Sequence, residues 1–216
     1  MFDTSRPVEI PARPAPVQRR GIERVQAILD SAESLLEEQG YESATLKAIS
    51  DRAGIPIASV YHYFADRHQV DAELAQRHLR ELDARLAELN DSKVRSLRGA
   101  VDAVIDAYLV YFREHPGFVQ LWFAGRSAIL NDLARVFDET QAKRFWALLV
   151  DRKLIRASTP DFVVQLAFEA GWRLFDVAFR LAPAGDDMTI NETRRLITAY
   201  LETYAAKQRQ RKDAAS

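Results

Sequence analysis

The residues whose types and spacing could do chemistry are gathered between Thr45 and Arg67. This segment carries hydroxyl groups, an imidazole and a guanidinium on two short predicted helices that Gly54 separates. Side chains of these kinds donate hydrogen bonds to phosphate oxygens and also contact base edges. The sequence has no Gly-rich phosphate loop and no strand-turn-helix arrangement around a nucleophilic serine, so the pattern favours binding over catalysis.

Two short helices, Leu46–Ala53 and a second that runs to about Phe64, are predicted on either side of the glycine. A helix of two turns is not stable alone in water, so both must pack against a longer neighbour. The apolar residues placed for this packing are Leu46, Ile49, Ala53, Ile55, Val60 and Phe64. The other face of the second helix stays free, as in helix-turn-helix units that insert this helix into the major groove of DNA.

A long amphipathic helix is predicted before this pair, from Arg19 to a C-cap at Gly40. Asp66 and Gln69 form a capping-box pattern that opens the next long helix. The apolar face of the first helix consists of Ile22, Val25, Ile28, Leu29, Ala32, Leu35 and Leu36. Together these elements predict a small helical domain at residues 18–68.

The rest of the chain also reads as helical, and no segment makes a convincing strand, so the predicted fold class is all-α. Residues 69–206 form a second, larger domain, in which Thr159 and Pro160 are expected to open one helix and Thr189 another. Residues 1–17, with four of the eight prolines, are predicted to be a disordered arm, and residues 207–216 a flexible tail. The helices of the larger domain are predicted at about 66–90, 94–115, 118–124, 131–150, 161–181 and 189–206.

Composition narrows the classes of function. The 216 residues include no cysteine, which excludes disulfide frameworks, thiolate zinc sites and cysteine nucleophiles. The formal net charge is −1, so any binding of nucleic acid must depend on where the basic groups lie. The amino terminus is unlike a signal peptide and no apolar run is long enough to span a bilayer, so we expect a cytoplasmic protein without membrane contact.

The segment from about Arg20 to Val70 resembles the helix-turn-helix region of the TetR family. The residues that carry the resemblance are Gly40-Tyr41, Thr45, Ile49, Ala53-Gly54-Ile55, the run Ala58–Phe64 and Asp66-Arg67. Beyond that segment, only the helical layout is similar. The resemblance implies an N-terminal three-helix, homeodomain-like domain and a C-terminal helical domain that binds a ligand and dimerises.

Roles at the DNA follow from the resemblance, position by position. It assigns phosphate contacts to Thr45, Tyr61, Tyr63 and Arg67. It assigns base contacts to the exposed side of the second short helix, at Ile57, Ala58, Ser59 and His62. Arg19 and Arg20, just ahead of the first helix, are expected to reach phosphates or the minor groove.

Two positions depart from the family pattern. Pro56 replaces a usual serine and removes a hydroxyl cap, although proline is tolerated in a first helical turn. Ile57 replaces a position that is often polar or basic. An isoleucine can contact a thymine methyl group but cannot bond a base edge, so we expect sparse direct base bonding.

The larger domain holds most of the aromatic residues, and the resemblance implies a ligand cavity among them. The candidates to line it are Tyr108, Phe112, Phe118, Trp122, Phe123, Phe145 and Trp146, with Glu169 and Arg173 as possible polar contacts. For each aromatic residue plain core packing is the alternative, and for Glu169 and Arg173 a solvated edge.

The helix at 161–181 is apolar around most of its circumference, which indicates that it is buried on more than one side. The resemblance implies that the last two helices of each subunit form a dimer interface, and a wholly buried central helix is the alternative. The candidate interface residues are Phe168, Gly171, Phe175, Ile197, Tyr200 and Tyr204.

The four histidines have no second ligand at i+3 or i+4, so neither a metal site nor a cofactor is expected. The predicted function is that of a ligand-responsive transcriptional regulator rather than an enzyme. It is expected to be a homodimeric repressor that a small-molecule effector releases from a palindromic operator in double-stranded DNA. Two alternatives remain open: an all-helical small-molecule-binding protein or enzyme without DNA binding, and a helical interaction module without a ligand.

Overall fold

A computed structural model describes residues 16–91, 94–125 and 127–206. Their backbone forms nine α-helices, and extended pairing among them is limited to one bridge between Ile155 and Ala205, so the predicted all-α class is confirmed. The helices are α1 (Pro16–Gln39), α2 (Leu46–Ala53), α3 (Ile57–Tyr63), α4 (Arg67–Ala87), α5 (Leu97–Glu114), α6 (Pro116–Ala124), α7 (Ala128–Asp151), α8 (Phe162–Leu181) and α9 (Asp187–Glu202). The predicted arm and tail lie outside the described residues, except that Pro16 and Val17 belong to α1.

Helices α1 to α3 form one packed unit. Ile28 and Leu36 on α1, Ile49 on α2 and Val60 on α3 are all fully buried in the same core. Full burial of such a side chain contributes about 1.5–3 kcal/mol, and this contribution supports two helices that are too short to be stable alone.

Local capping sets the bounds of α2 and α3. The Thr45 hydroxyl oxygen accepts a hydrogen bond from the Ala48 amide at 3.2 Å, which confirms Thr45 as the N-cap of α2. Gly54 ends α2 with φ 64°, a left-handed conformation that glycine adopts without steric cost. The Ser50 hydroxyl donates to the Ile55 carbonyl at 2.7 Å and fixes the turn into α3.

At two helices of the larger domain, the residue that caps the start differs from the predicted one. Helix α8 begins at Phe162, and Thr159 is buried one turn earlier, where its carbonyl accepts the indole N–H of Trp146 at 2.8 Å. Helix α9 is capped by Asp186, whose carboxylate accepts the amide and the hydroxyl of Thr189 at 2.8 and 2.7 Å. Thr189 therefore lies at the start of α9 as predicted, but it donates to the capping residue and is not the cap itself.

The larger domain packs around α5, α8 and α9. Helix α8 lies between α7 and α9, α5 packs against α9, and α4 packs against α7. Helix α1 packs along α6, so the first helix of the small domain also contacts the larger domain. Within the described ranges, none of the helices combines the length and the hydropathy of a membrane span.

Candidate DNA-binding surface and ligand cavity

Helix α3 presents a free face to solvent. Tyr61 is 56% exposed and Ile57 is 37% exposed, and Ala58 and His62 are also exposed. Ser59 and Tyr63 are half-buried at the edges of this face. The structure therefore brings the predicted base-contact and tyrosine residues together on one short helix that is anchored from behind.

The start of α2 lies beside this helix and offers further donors. Thr45 is exposed and uses its hydroxyl oxygen as an acceptor, so the hydroxyl proton remains free to donate to a phosphate. Lys47, which the sequence reasoning missed, is also exposed and pairs only with Asp51, one turn along α2, at 2.9 Å. An exposed pair of this kind contributes about 0–1 kcal/mol, so Lys47 can exchange Asp51 for a phosphate at little cost.

Arg19 and Arg20 lie within the first turns of α1 and not ahead of it, because α1 begins at Pro16. Both side chains are exposed, and Arg19 pairs with Glu23 at 2.9 Å. A helical backbone fixes where these guanidinium groups can reach.

Arg67 is placed differently from the prediction. Its guanidinium is only 17% exposed and pairs with the buried Asp71 carboxylate at 2.6 Å, while it also lies 4.6 Å from the centre of the Tyr41 ring. The Tyr41 hydroxyl donates to the same carboxylate at 2.8 Å. Burial and the bond to Asp71 raise the pKa of Tyr41 to about 12. Arg67 therefore joins α4 to the loop after α1 and has its Nε–H engaged by Asp71.

We expect Arg67→Ala to lower the free energy of unfolding by about 3 kcal/mol, because it leaves the buried Asp71 carboxylate without its cation. Urea denaturation followed by circular dichroism measures this. The exposed Arg20→Ala is the control and should change nothing. An Arg67→Ala protein as stable as the wild type would show that this ion pair does not hold the domain.

A cavity of about 50 Å³ lies between α5, α7, α8 and α9, and its wall is almost entirely apolar. A second cavity of about 30 Å³ lies next to it on the side of α4. The residues that line both cavities, and so form the wall between them, are Val104, Tyr108, Phe145 and Phe168. Rotation of these side chains would join the two spaces.

The predicted pocket residues divide into four groups. Tyr108 and Phe145 line the cavity, whereas Phe112 and Phe118 are fully buried in the core instead. Glu169 and Arg173 are exposed on α8, where Arg173 pairs with Asp176, so neither reaches the cavity. The half-buried residues packed against the core without lining either cavity are Trp122, Phe123 and Trp146.

Four residues predicted for the dimer interface face inward instead. They line the cavity because that side of α8 and α9 is turned toward α5, and they are Phe168, Gly171, Phe175 and Ile197. Tyr200 and Tyr204 are half-buried near the end of α9, with ring centres 5.8 Å apart. The periodic apolar pattern of α8 did not distinguish its inner face from its outer one.

The outer faces of α8 and α9 carry large exposed apolar side chains. We call these residues the α8–α9 apolar surface: Phe162, Leu166, Leu181, Met188 and Leu196. Single exposed apolar side chains are common on protein surfaces, but five of them on two adjacent helices indicate an interaction site. This surface is the one that a second subunit could cover.

Among the described residues, the buried Tyr108 hydroxyl on the cavity wall has no hydrogen-bond partner, and the Trp172 indole nitrogen and Asp138 Oδ1 are buried beside each other without a hydrogen bond of good geometry. Tyr108 and Trp172 both line the cavity, with ring centres 4.9 Å apart. Burial raises the pKa of Asp138 to about 8, against a smaller lowering effect of Trp172. Unpaired buried polar groups cost free energy and are candidates for bonds to a ligand.

The proton on Asp138 makes stability depend on pH. The folded carboxyl keeps its proton up to about pH 8, whereas the unfolded chain loses it near the ordinary value of 3.8. The folded state therefore binds more protons across this range, so the contribution to stability is complete below pH 4 and is lost as the pH rises toward 8.

We expect the melting temperature of Asp138→Asn to exceed that of the wild type, and this difference to be larger at pH 8 than at pH 5. The reason is that the asparagine amide has no proton to lose as the pH rises. Differential scanning calorimetry at the two pH values measures this difference. Asp132→Asn, an exposed position on the same helix, should show no such pH dependence. Equal gains for Asp138→Asn at both pH values would mean that the carboxyl is ionised when buried.

The histidines are not all scattered, as their spacing in the sequence indicated. His78 and His115 lie 5.1 Å apart between ring centres, and both approach the Glu33 carboxylate of α1. No local spacing could reveal this cluster, because its members are 45 and 37 positions apart and meet only through the packing of α1, α4 and the start of α6.

Two family models match the chain. The model described as bacterial regulatory proteins, tetR family, matches residues 28–73, and the one described as tetracyclin repressor-like, C-terminal domain, matches residues 96–201. The first match contains α2 and α3, and the second runs from the start of α5 to α9.

Similar proteins give the same result. The crystal structure of a TetR-family transcriptional regulator from Streptomyces coelicolor is 33% identical, with a TM-score of 0.63, and the match covers 84% of this chain and 99% of that one. The HTH-type transcriptional regulator BetI of Vibrio campbellii is 26% identical over 50% of this chain and 55% of its own length. The HTH-type transcriptional repressor KstR2 of Mycobacterium tuberculosis is 34% identical over 32% of this chain and 35% of its own length. The matched part of the chain thus spans about half the length of the BetI relative and about a third of the length of the KstR2 relative.

The exposed α3, the capped α2 and the helical second domain with its cavity agree with these matches. The chain belongs to the TetR family and is a helix-turn-helix transcriptional regulator.

Proposed function

We propose that the protein is a homodimeric repressor that binds a palindromic operator through α3 and releases it when a small molecule occupies the cavity beneath α8. The observation that carries the proposal is the free face of α3, since a short helix with exposed Tyr61 and Ile57 is supported only from behind. The proposal assigns the chain no enzymatic activity and places it in the cytoplasm, where the chromosome is.

Phosphate contacts supply most of the affinity in this proposal. Thr45, Tyr61 and Tyr63 donate from the ends of α2 and α3, and Lys47 adds a charge that the sequence reasoning did not assign. Arg19 and Arg20 reach the flanking phosphates from α1. Each cation that neutralises a phosphate makes binding weaken as salt rises, so the operator affinity should depend on ionic strength.

In this proposal the edges of the bases are contacted by Ile57, Ala58, Ser59 and His62. His62 is the one of these with a ring that can bond a base edge, and it contacts the Tyr63 ring edge-on at 5.4 Å between centres. Ile57 favours a thymine methyl group. Arg67 contributes indirectly, because its contact with the ring and carbonyl of Tyr41 holds α4 against the loop after α1.

Dimerisation through the α8–α9 apolar surface places two copies of α3 on one side of the molecule. Two recognition helices read successive major grooves when they are roughly 34–36 Å apart, and a two-fold axis then demands a palindromic site. Burial of five large apolar side chains from each subunit supplies the driving force. Residues 18–68 are the DNA-binding unit in this proposal, and residues 69–206 the ligand and dimer unit.

The effector is a mostly apolar small molecule with one hydrogen-bonding group. The apolar walls support the first property, and the unpaired hydroxyl of Tyr108 supports the second. The two cavities are too small for most such molecules, so binding must move Phe168 or Tyr108 and thereby displace α8 against α5 and α7. Because α4 packs against α7 and continues from α3, this displacement can reach the DNA-binding helices.

Gly171→Leu should abolish the response to effectors while operator binding remains. Gly171 lines the cavity, and no atom outside the backbone of its own helix and its two chain neighbours lies within 4 Å of a Cβ placed there, so a leucine can grow into the space. The measurement is the thermal shift caused by a panel of apolar compounds with one hydroxyl, amide or carboxyl group, followed by DNA release for the compounds that bind.

The matched control is Gly171→Ala, which adds one methyl group and should keep most of the response. If Gly171→Leu responds like the wild type, the effector binds elsewhere. If compounds that bind the wild type strengthen operator binding, the protein is an activator or a co-repressor-dependent regulator.

A further inference from the structure

Three donor atoms from three helical segments meet between the two domains. Glu33 lies on α1, His78 on α4 and His115 between α5 and α6. Glu33 Oε1 is 3.2 Å from His78 Nε2 and 3.4 Å from His115 Nδ1, and all three atoms lie within 4.8 Å of one another. One carboxylate oxygen thus faces two imidazole nitrogens.

The hydrogen bonds of Tyr111 determine which nitrogen of His78 is available. The Tyr111 hydroxyl lies 2.8 Å from His78 Nδ1 and 3.2 Å from Glu81 Oε2. The hydroxyl has one proton, and the Glu81 carboxylate is the stronger acceptor for it. Nδ1 must then carry its own proton and donate it to the tyrosine oxygen. In the neutral imidazole this leaves Nε2 as a lone pair that points toward Glu33.

That lone pair has no adequate partner. Within the described part of the chain, His78 Nε2 is buried and makes no hydrogen bond of good geometry, although Glu33 Oε1 lies 3.2 Å away. A lone pair and a carboxylate oxygen repel each other unless a positive species lies between them. The other oxygen of Glu33 is already held by Arg77 at 2.5 Å, so only Oε1 is available to such a species.

The distances fit a metal ion. Ligand atoms 2.0–2.1 Å from tetrahedral zinc are about 3.3 Å apart, close to both separations from Glu33 Oε1. The remaining separation can shorten by rotation of His115, which is a quarter exposed and offers a route from solvent. We propose that Glu33, His78 and His115 bind a divalent zinc-like transition-metal ion with one position left for water.

The surroundings of the three side chains support the assignment. A zinc-bound histidine usually donates its second ring N–H to a polar group that fixes the ring, and His78 does so to Tyr111. The ring of His78 is also stacked on Phe118 at 4.4 Å between centres.

A metal ion here would join the small domain to the larger one. Glu33 belongs to the first helix of the DNA-binding unit, whereas His115 begins α6, which packs along that helix. Bound metal would fix the two helices together at a point away from the effector cavity. Bound metal would therefore change the affinity for the operator independently of the effector.

The test uses the full chain without a histidine tag. Cobalt(II) is titrated first, because a mixed nitrogen and oxygen site gives visible d–d absorption, and zinc is then used to displace it. We expect one ion per subunit in the wild type and an affinity about 100-fold or more weaker in His115→Ala, which loses one ligand. The control is His68→Ala, an exposed histidine on α4, and it should bind like the wild type.

A second variant guards against a folding defect. Glu33→Gln keeps the size of the side chain but removes its charge, and it should lose cobalt absorption while circular dichroism stays unchanged. The absence of a one-to-one cobalt or zinc complex in the wild type would overturn the proposal, and a proton would then be the species between His78 and Glu33. So would equal binding by the wild type, His115→Ala and Glu33→Gln.

Discussion

Replacing Tyr61 and Tyr63 together by phenylalanine should weaken operator binding by about 100-fold or more. Each hydroxyl donates to a phosphate in the proposed complex, and a hydrogen bond to a charged group contributes about 1.5–3 kcal/mol. The symmetric dimer loses four such bonds. Phenylalanine keeps both rings, so the contact between Tyr63 and His62 and the packing of α3 remain. Fluorescence anisotropy with labelled operator DNA measures the loss.

The control for this double variant is Tyr204→Phe, which removes a tyrosine hydroxyl near the end of α9, away from α3. It should bind the operator as the wild type does. Thermal unfolding of all three proteins should be similar, because every substitution keeps the aromatic ring and Tyr61 is exposed. Unchanged operator affinity in the folded double variant would show that α3 does not contact phosphates in this way.

Leu166→Asp combined with Leu196→Asp should convert the dimer into monomers. Both side chains are about half exposed in the isolated subunit, so the substitutions do not disturb its core. In a dimer they would bury four carboxylates in an apolar interface, and a buried unpaired charge costs several kcal/mol. Sedimentation velocity should show one species of 24.5 kDa. Operator affinity should fall by about 100-fold or more, because two linked DNA-binding domains bind that much more tightly than a single one.

Val110→Asp and Val136→Asp are the matched controls, since both valines are exposed to a similar degree on α5 and α7. Neither lies on the α8–α9 apolar surface, so both variants should remain dimeric. A Leu166→Asp, Leu196→Asp protein that still sediments as a dimer would place the interface elsewhere on the subunit.

The small domain could be predicted from the sequence almost residue by residue. Thr45, Gly54 and Asp66 act on backbone groups four or fewer positions away, so the signals for the bounds of α2 and for the start of α4 are local. Burial of Ile49 and Val60 followed from helical periodicity, which needs only the segment itself. The same reasoning put the second short helix in the right place and left its outer face free.

The larger domain could be predicted only in outline. The periodicity of α8 shows that two faces are apolar, but it does not show which one meets α5 and which one is exposed. Phe168 and Gly171 were therefore predicted for the dimer interface and line the cavity instead, whereas Leu166 is exposed. Such a choice depends on how α5, α7 and α9 pack, and no residue of α8 encodes it alone.

Long-range polar contacts could not be predicted at all. Arg67 fitted a phosphate contact by its position, but the structure pairs it with Asp71 and with Tyr41, which is 26 positions away. Glu33, His78 and His115 are likewise distant in sequence. Their approach follows from the crossing of α1 with α4 and α6, and this crossing is set by apolar core residues rather than by the polar groups themselves.

The central claim is that the free face of α3 reads an operator. Anisotropy titrations with labelled DNA from upstream of the protein's own gene test it most directly, against DNA of the same length and shuffled sequence at the same salt concentration. We predict saturable binding of one dimer per operator, at least about 1,000-fold tighter than to the shuffled DNA, and its loss in the Tyr61→Phe, Tyr63→Phe variant. Equal affinity for both DNAs, or equal binding by the wild type and that variant, would contradict the claim.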